Sequence, residues 1–275
     1  MTDAKIETFA DINWSDLRAR AMAKKAWRNK GPKEWDAKAA SFSTRNKSAA
    51  YIDLFLDLLP LDSSMSVLDI GSGPGTLALP IAGRVDSVTA IDFSAGMLQV
   101  LNDLAASENI NNIRTIQCAW EDDWQAKGLQ PHDIAIASRA MGVEDLRAAL
   151  EKIDRYGRKY VFLSDRVGAT PFDVAAFAAL GRPFAAGPDY IFTVNMLYTL
   201  GIHPNMTILT LERESTFSSM DEALKSYSWM FSDMSTAETA ALENYLMKQI
   251  VRRNGEEITL CRQDPPRWAV IWWRK

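Results

Sequence analysis

The sequence predicts an α/β fold in which helices cover both faces of a doubly wound, mainly parallel sheet of seven strands. Short apolar runs alternate with helix-like segments between residues 66 and 165, which is the pattern of βαβ crossovers. A glycine-rich turn follows the first of these runs. The chain has 275 residues, 47% hydrophobic and 24% charged, and this composition excludes disordered, fibrous and collagen-like proteins. We expect one domain with attached segments.

The first fifty residues are predicted to form a helical cap on the main body, which occupies residues 51–275. They hold eleven Lys and Arg against six Asp and Glu, although the whole chain has a net charge of -4. Gly31-Pro32 interrupts the helical pattern of this segment. The aromatic residues interspersed among its charges are Trp14, Trp27, Trp35 and Phe42. Aromatic residues beside a basic face favour a segment that lies on a larger domain.

Five strands are predicted in the first part of the main body. A helix over residues 51–59, ended by Pro60, precedes them. Helices are predicted over 76–82, after the N-cap residue Ser94, and over 145–156, where apolar residues recur at helical spacing. The strands cover residues 66–70, 87–91, 113–118, 133–137 and 159–163.

The second part of the main body is predicted to begin with an inserted lid. Residues 171–204 are apolar and aromatic, and a helix over 190–200 forms the second half of this segment. A strand over 206–211 follows. Ser219 and Ser235 each open an S-x-x-E capping box, and Asn254-Gly255 is predicted to end the second of these helices. A last strand over 267–273 completes the sheet.

The glycine-rich turn is the strongest functional signal. Gly71, Gly73 and Gly75 allow a sharp turn and a close approach of the backbone to a ligand at the start of the next helix. The dinucleotide fingerprint requires Gly or Ala where this sequence has Thr76, and no Gly-Lys-Ser/Thr follows as a phosphate-binding loop requires. A different ligand is therefore indicated.

Two carboxylates indicate what that ligand is. Asp69, two residues before the first glycine, would repel a pyrophosphate and hold an ammonium group. Asp92, at the end of the second strand, can accept hydrogen bonds from both hydroxyls of a ribose. A ligand with an amino-acid end and a nucleoside end satisfies both carboxylates. S-adenosylmethionine is such a ligand.

These motifs resemble those of the class I S-adenosylmethionine-dependent methyltransferases, particularly the small-molecule enzymes of the ubiquinone- and menaquinone-biosynthesis type. The two segments that carry the resemblance are Leu68-Asp69-Ile70-Gly71-Ser72-Gly73-Pro74-Gly75 and Ala90-Ile91-Asp92-Phe93-Ser94-Ala95-Gly96-Met97-Leu98. The resemblance covers about residues 51–165. It implies a Rossmann-like methyltransferase fold, and it implies that Asp69 and the glycines, with Ser72, face the methionyl part of the cofactor. It also implies that Asp92 binds the ribose and that Phe93 and Met97 pack on the adenine.

The contacts after the third and fourth strands depart from the family pattern. The family often has Gly-Asp-Ala after the third strand, whereas this chain has Cys118-Ala119-Trp120-Glu121-Asp122. Ala119 is expected beside the adenine, Glu121 or Asp122 to replace the acid, and Trp120 either to stack on the ring or to belong to the core. Ser138 and Arg139 follow the fourth strand and are expected to border the transferred methyl group, because ligands bind at the carboxyl ends of parallel strands.

The acceptor site is expected beneath the lid and the cap. The candidates for catalysis are Arg139, Asp165 and His203, whereas His132 precedes the fourth strand and is expected to be structural. No residue is assigned as general base, which favours thiols, amines or stabilised carbanions as acceptors over alcohols. The candidate substrate contacts are Trp35, Arg139, Tyr190, Asn195 and Tyr198, with Phe42 and Arg45 closing the cap side and Phe172, Phe177, Phe184, Phe192 and Met196 as apolar wall.

The sequence therefore predicts a methyltransferase that acts on a small-molecule acceptor and releases S-adenosylhomocysteine. Two alternatives remain: an RNA methyltransferase that uses the basic cap, which a pI near 5.4 disfavours, and a cofactor-binding module without catalysis. Two cysteines and two histidines disfavour a metal site. The N-terminus does not resemble a signal peptide and no apolar stretch predicts a membrane span, so a cytoplasmic location is expected.

Overall fold

A seven-stranded sheet forms the centre of the computed structural model, which describes residues 7–25, 27, 31–39 and 49–275. Its strands are β1 (Ser66–Ile70), β2 (Ser87–Asp92), β3 (Ile113–Gln117), β4 (His132–Ser138), β5 (Gly157–Arg166), β6 (Asn205–Thr210) and β10 (Arg267–Arg274). They are arranged in the order β3-β2-β1-β4-β5-β10-β6, and only β10 is antiparallel to its neighbours. The predicted fold class is confirmed.

Ten α-helices lie in the described part of the chain. They are α1 (Trp14–Lys24), α2 (Pro32–Asp36), α3 (Ala49–Leu56), α4 (Ala78–Ala82), α5 (Ala95–Ser107), α6 (Leu146–Tyr156), α7 (Val174–Ala179), α8 (Tyr190–Thr199), α9 (Met220–Ser228) and α10 (Thr236–Lys248). A 3₁₀ turn over Phe9–Asp11 precedes α1. None of the helices among these residues is long and apolar enough to cross a bilayer.

Capping side chains fix the starts of the helices that support the site. Ser94 accepts a hydrogen bond from the amide of Met97, as predicted, and Asp145 caps α6 in the same way. Ser235 and Glu238 form a complete capping box. The other predicted box is only half formed, because the Glu222 carboxylate binds Ser218 instead of Ser219.

Two apolar cores lie on opposite faces of the main sheet. Strands β1 and β4 are almost fully buried, as expected for central strands of a parallel sheet. Val67 and Ile134 face α3 and α4, whereas Leu68 and Ala135 face α6 and α8. Because side chains alternate along a strand, the run of residues 67–70 contributes to both cores.

The sequence analysis missed a second sheet. Strands β7 (Glu214–Phe217), β8 (Ile250–Asn254) and β9 (Glu257–Cys261) form an antiparallel sheet in the order β7-β9-β8. The assignment of Asn254-Gly255 as a helix end was wrong, since α10 ends at Lys248. Asn254 and Gly255, whose φ is +63°, instead turn the β8–β9 hairpin. An Asn-Gly pair between apolar runs is a strong hairpin signal, and it could have revealed this sheet.

The segment 171–204 divides between two cores. Its first half, with α7, packs with α9, α10 and the small sheet in a third core, where Phe177 lies against Phe184 and Phe231. Phe172 also contacts Phe184. These phenylalanines, predicted to line an acceptor pocket, therefore fill the core of the small sheet. The second half forms α8, and its Met196 and Leu197 are buried in the core of the main sheet.

The described part of the cap contacts the main domain through α1, Trp27 and α2. On one side, α1 lies along α8, and the Arg18 side chain donates to the carbonyls of Val143 (2.6 Å) and Glu144 (2.8 Å). On the other side, α2 lies against the start of α5, where the Asp36 carboxylate accepts from Ser94 Oγ (2.6 Å). Phe42 and Arg45, predicted to close the cap side, lie outside the described residues.

Candidate functional site

The glycine turn is held against the end of β2. The amides of Gly71 and Ser72 both donate to the carbonyl of Ile91, at 2.8 and 3.0 Å. Gly71, Gly73 and Gly75 have positive φ, and a Cβ at Gly75 would collide with the Leu101 side chain of α5. A side chain at Gly71 would meet Ala140 Cβ at 2.6 Å, so the turn also adjoins the loop after β4. Glycine is therefore required by conformation and by space.

Asp69 is a buried carboxylate that lacks a full set of partners. It is 2% exposed, and its Oδ2 atom has no hydrogen-bond partner in the structure. Burial, and then the charge of Asp92, raise the pKa of Asp69 to about 7. The hydroxyl of Ser72, in the turn that follows, is also buried without a partner. Buried polar atoms without hydrogen-bond partners destabilise a folded protein. A ligand that bonds to Asp69 and Ser72 would remove this cost.

Asp92 holds the turn and the following helix together. Its Oδ2 accepts from the amide of Gly73 (2.9 Å), and its Oδ1 accepts from the amide of Ser94 (2.8 Å). Burial raises the pKa of this carboxyl, while the two amides lower it. A carboxylate oxygen has two lone pairs, so each oxygen can accept a further hydrogen bond from a ligand hydroxyl.

The residues predicted to surround an adenine lie along the next loops. Met97 is buried and Phe93 is half-buried at the start of α5. Trp120 donates from its indole nitrogen to the carbonyl of Ala140 (3.1 Å), which joins the loop after β3 to the loop after β4. Asp122 accepts from the amide of Ala119 (3.0 Å), whereas Glu121 is exposed. Of the two acids predicted to replace the family's acid, only Asp122 is fixed against the loop.

Tyr51 is a site residue that the sequence analysis missed. Its hydroxyl lies 2.7 Å from Ser138 Oγ and 2.7 Å from Ser164 Oγ, and thereby connects α3 to the ends of β4 and β5. The Arg139 guanidinium carbon lies 4.5 Å from the centre of the Tyr51 ring. A tyrosine among the apolar residues of a short helix was the available signal, because a buried hydroxyl needs polar partners.

Asp165, a predicted catalytic candidate, and Arg166 lie at the carboxyl end of β5 and border a narrow crevice. Asp165 accepts from Thr193 Oγ1 of α8 (2.8 Å), and burial raises the pKa of its carboxyl. The Arg166 guanidinium carbon lies 4.0 Å from the centre of the Trp27 ring. The residues that line the crevice are Arg18, Met22, Trp27, Met141, Gly142, Asp165, Arg166, Pro188 and Asp189. Arg18 and Trp27 were not predicted, because only folding of the cap brings them to this edge, and Asp189, the N-cap residue of α8, was not predicted either.

Several predicted candidates lie elsewhere. His203 precedes β6, whose Asn205 pairs with Trp272, about 13 Å along β10 from the site edge at Trp268. This corrects the prediction for His203, which lies toward the amino end of the sheet with the exposed ring of Tyr198 against it. A residue that precedes a parallel strand belongs to the edge opposite the ligand, as was predicted correctly for His132, which is buried against Thr89 (2.8 Å).

Three further residues that were predicted to contact the acceptor lie away from the crevice. Asn195 donates to the carbonyl of Ile191 within α8 (2.7 Å), and Tyr190 packs against the main core. Trp35 lies on α2, next to Asp36, whose carboxylate bonds to Ser94. None of these three residues lines the crevice at the end of β5.

Comparison with known proteins supports this reading of the cofactor half. A family model described as a methyltransferase domain matches residues 67–159, which include the glycine turn, Asp69 and Asp92. The chain carries a methyltransferase domain and is an S-adenosylmethionine-dependent methyltransferase. Its cofactor is S-adenosylmethionine. The methyltransferase also has a relative along its whole length: an uncharacterized protein of Haemophilus influenzae is 30% identical over 270 residues, 97% of this chain and 98% of that protein.

Two solved structures share the fold of the methyltransferase. A candidate methyltransferase of Bacillus halodurans C-125 aligns with a TM-score of 0.56 at 15% identity, over 82% of this chain and 98% of that chain. The YcgJ protein of Bacillus subtilis also aligns with a TM-score of 0.56, at 18% identity, over 82% of this chain and 97% of that chain. At these identities the likeness concerns the fold.

Proposed function

We propose that this methyltransferase transfers the methyl group of S-adenosylmethionine to a small-molecule acceptor in the crevice at the ends of β4 and β5, and releases S-adenosylhomocysteine. The observation that carries the proposal is the pair of buried carboxylates beside the glycine turn, of which Asp69 has an oxygen without a partner. The resemblance to enzymes of quinone biosynthesis rests on the cofactor motifs alone, so the proposal does not name the acceptor.

The polar groups of the cofactor match the groups that the turn leaves unsatisfied. Asp69, when ionised, would hold the ammonium group of the methionyl end, and Ser72 would bond to the same end. Asp92 would accept the ribose hydroxyls while it keeps its bonds to Gly73 and Ser94. Phe93 and Met97 would pack on the adenine, with Ala119, Trp120 and Asp122 on the next loop. Glycines in the turn let the backbone approach the ligand closely.

The chain's contribution to the reaction is proposed to be alignment and exclusion of water. The bound cofactor supplies an electrophilic methyl group on a sulfonium. Ser138 and Arg139 are proposed to lie beside the transferred methyl group, and Trp27 and α1 cover the crevice from the cap side. Holding the acceptor in line in a dry site accounts for most of what such a displacement needs. Asp165, whose pKa burial raises, and Arg139 are proposed to orient the acceptor.

The arrangement of charges in the cap favours a small acceptor over RNA. Arg18 is buried and donates to two carbonyls of the main domain, and Arg20 pairs with Asp16 of its own helix (2.7 Å). These two arginines are therefore engaged within the protein instead of forming a basic surface for phosphates.

We also propose that the chain divides into a cap over residues 1–50 and a catalytic domain over residues 51–275. A cytoplasmic location is proposed as well.

Substitution of Asp92 tests the cofactor site. We expect Asp92→Ala to abolish binding of S-adenosylmethionine and S-adenosylhomocysteine in calorimetry, because the ribose hydroxyls lose their acceptor and the turn loses its tie to α5. Circular dichroism and thermal unfolding check that the variant remains folded. The matched control is Asp86→Ala, an exposed aspartate at the opposite end of β2. Unchanged affinity in Asp92→Ala would refute the assignment.

A screen of acceptors tests the reaction. Purified protein with S-adenosylmethionine is incubated with thiols, amines, phenols, small acids and, separately, RNA, and S-adenosylhomocysteine is quantified by mass spectrometry. We expect turnover on at least one small-molecule class. Binding of the cofactor without turnover on any of them would instead favour the module without catalysis, and turnover on RNA alone would refute the small-molecule proposal.

A further inference from the structure

Arg139 is fixed in an uncommon backbone conformation. Its φ is +57°, which is unfavourable for a residue other than glycine, and its amide donates to Ser164 Oγ (2.9 Å) and to the Ser164 carbonyl (3.3 Å). The next residue, Ala140, adjoins Gly71 and accepts from the Trp120 indole. The loop is therefore held on both sides, and a strained conformation retained in such a place is characteristic of a functional position.

The guanidinium of Arg139 lies on an aromatic platform. Its central carbon is 4.5 Å from the centre of the Tyr51 ring and 5.8 Å from the centre of a ring of Trp268. The Tyr51 ring is itself immobilised, because its hydroxyl bonds to Ser138 and Ser164. Aromatic faces attract the cation and hold the planar group in one orientation, but they leave its N–H donors free to bind an anion.

Arg139 differs from three other arginines that are at least partly buried, because each of those has polar partners. Arg18 and Arg166 donate to backbone carbonyls, and Arg262 donates to two carbonyls and lies 3.5 Å from Asp173. Among the residues that the structure describes, no carboxylate pairs with Arg139 and no acceptor receives its side-chain N–H groups. Arg139 is half-buried, and because arginine keeps its charge in proteins, a half-buried guanidinium without a counterion can accept an anionic ligand.

The direction of the Arg139 side chain indicates which anion. The cofactor turn and Asp92 belong to β1 and β2, on one side of β4. Tyr51 is tied to Ser164 of β5, and Trp268 lies on β10, both of which stand on the other side of β4. Arg139 therefore leans toward β5 and β10 and away from β1 and β2. In the crevice, Arg18 and Arg166 are balanced by Asp165 and Asp189, so Arg139 is not needed to neutralise these carboxylates.

We propose that Arg139 binds a carboxylate or phosphate group of the methyl acceptor, and that the physiological acceptor is accordingly an anionic small molecule. The inference rests on the proposed function. Arg139 is in this view a specificity-determining residue: it contacts a part of the acceptor that does not react, and so sets which molecules are aligned with the methyl group. An acceptor that lacks the anionic group leaves the guanidinium unpaired and binds less well.

Thermal shift with matched ligands tests the proposal without knowledge of the acceptor. The protein loaded with S-adenosylhomocysteine is melted with a panel of small aromatic and aliphatic carboxylic acids and phosphate monoesters, each beside its neutral amide or alcohol. We expect several anions, and none of their neutral partners, to raise Tm. Arg139→Gln should weaken binding of those anions about tenfold or more, and Arg139→Lys should retain part of it. Arg252→Gln, an exposed arginine on β8, should behave as the unmodified protein.

Calorimetry with S-adenosylhomocysteine separates the possible failures. We expect Arg139→Gln to bind it within about twofold of the unmodified protein, since the side chain leans away from the cofactor turn. Loss of that affinity would assign the guanidinium to the cofactor's own carboxylate and overturn the proposal. Equal responses to anions and neutral partners, or to anions in Arg139→Gln and the unmodified protein, would also overturn it. Failure of the unmodified protein to bind S-adenosylhomocysteine would instead refute the proposed function.

The acceptor screen gives the second readout. Among acceptors that are turned over, we expect the acid to have a kcat/KM at least about tenfold above that of its amide, and Arg139→Gln to remove this preference mainly through KM. A fall in kcat alone, with the preference for the acid intact, would contradict a role in acceptor binding.

Discussion

At the scale of single residues, the site contains two buried carboxylates, Asp69 and Asp92, and burial, together with the charge of Asp92, raises the pKa of Asp69. Asp92 is satisfied by two backbone amides, whereas Asp69 keeps an oxygen without a partner. Burial and the charge of Asp92 both disfavour ionisation of Asp69, which is why its pKa rises to about 7 while the ordinary value is 3.8. The Asp69 carboxyl should therefore lose its proton when a cation approaches, so binding of an ammonium group should release a proton.

The pKa of Asp69 predicts a pH dependence of stability. Between about pH 4 and pH 7 the folded chain holds a proton on Asp69 that the unfolded chain has lost, so the free energy of unfolding of the cofactor-free protein should fall as pH rises through this window. Urea unfolding at pH 5 and at pH 7.5 should show a smaller decrease in Asp69→Asn than in the unmodified protein. Asp86→Asn is the control, and parallel pH profiles for Asp69→Asn and the unmodified protein would contradict the prediction.

At the scale of elements, α2 links the cap to the cofactor loop. The Asp36 carboxylate accepts from Ser94 Oγ (2.6 Å) and from the Gly96 amide (2.9 Å), and these bonds lower the pKa of Asp36. Ser94 is also the N-cap of α5, and its own amide bonds to Asp92. The Ser94 hydroxyl therefore caps α5 and also holds α2 of the cap beside the proposed ribose site.

Removal of the Asp36 carboxylate should loosen α2 from α5. We expect Asp36→Ala to be cleaved faster by trypsin at Lys33 and Lys38, because the helix that carries or adjoins these residues loses both of its hydrogen bonds to the α5 start. Cleavage is followed by mass spectrometry with and without S-adenosylhomocysteine. Asp16→Ala, which removes an exposed ion pair within α1, serves as the control. Equal cleavage rates in Asp36→Ala and the control would show that these bonds do not hold the cap.

At the scale of the whole molecule, the chain contains two structural units with separate cores. The main sheet has a core on each face, and the small sheet with α7, α9 and α10 has its own. The glycine turn, Asp69 and Asp92 all belong to the main sheet. Stability and cofactor binding should therefore respond separately to substitutions in the two units.

Phe177→Ala should destabilise the protein without weakening cofactor binding. Phe177 is 6% exposed in the small core, and truncation of such a side chain costs about 3 kcal/mol of unfolding free energy. We expect the affinity for S-adenosylhomocysteine to change less than about twofold at a temperature where the variant is folded. The matched variant Leu101→Ala removes a buried residue of α5 that adjoins Gly75, and it should lower both stability and affinity. Equal losses of affinity in both variants would contradict the separation of the two units.

Features that depend on residues close together in the chain were predicted from the sequence, whereas features that depend on distant residues were not. Strands 66–70 and 87–91 were predicted to within a residue, because their apolar runs and the glycine turn are local signals. His203 was misplaced because its chain neighbours do not reveal at which end of the sheet β6 begins. Strand β7 was missed because it pairs with β9 across more than forty residues, whereas the β8–β9 hairpin had a local signal in Asn254-Gly255 that was misassigned.

The sequence by itself determined the fold class, the cofactor turn and the two carboxylates, since a short glycine turn after a buried strand fixes the positions of Asp69 and Asp92 through chain geometry alone. The tertiary structure decided the acceptor half. Tyr51, Ser164 and Trp268 meet Arg139 only because α3, β5 and β10 pack around the end of β4. Arg18 and Trp27 reach the crevice only because the cap folds back onto it. Cofactor binding is thus encoded in consecutive residues, whereas the acceptor site depends on packing between residues distant in the chain.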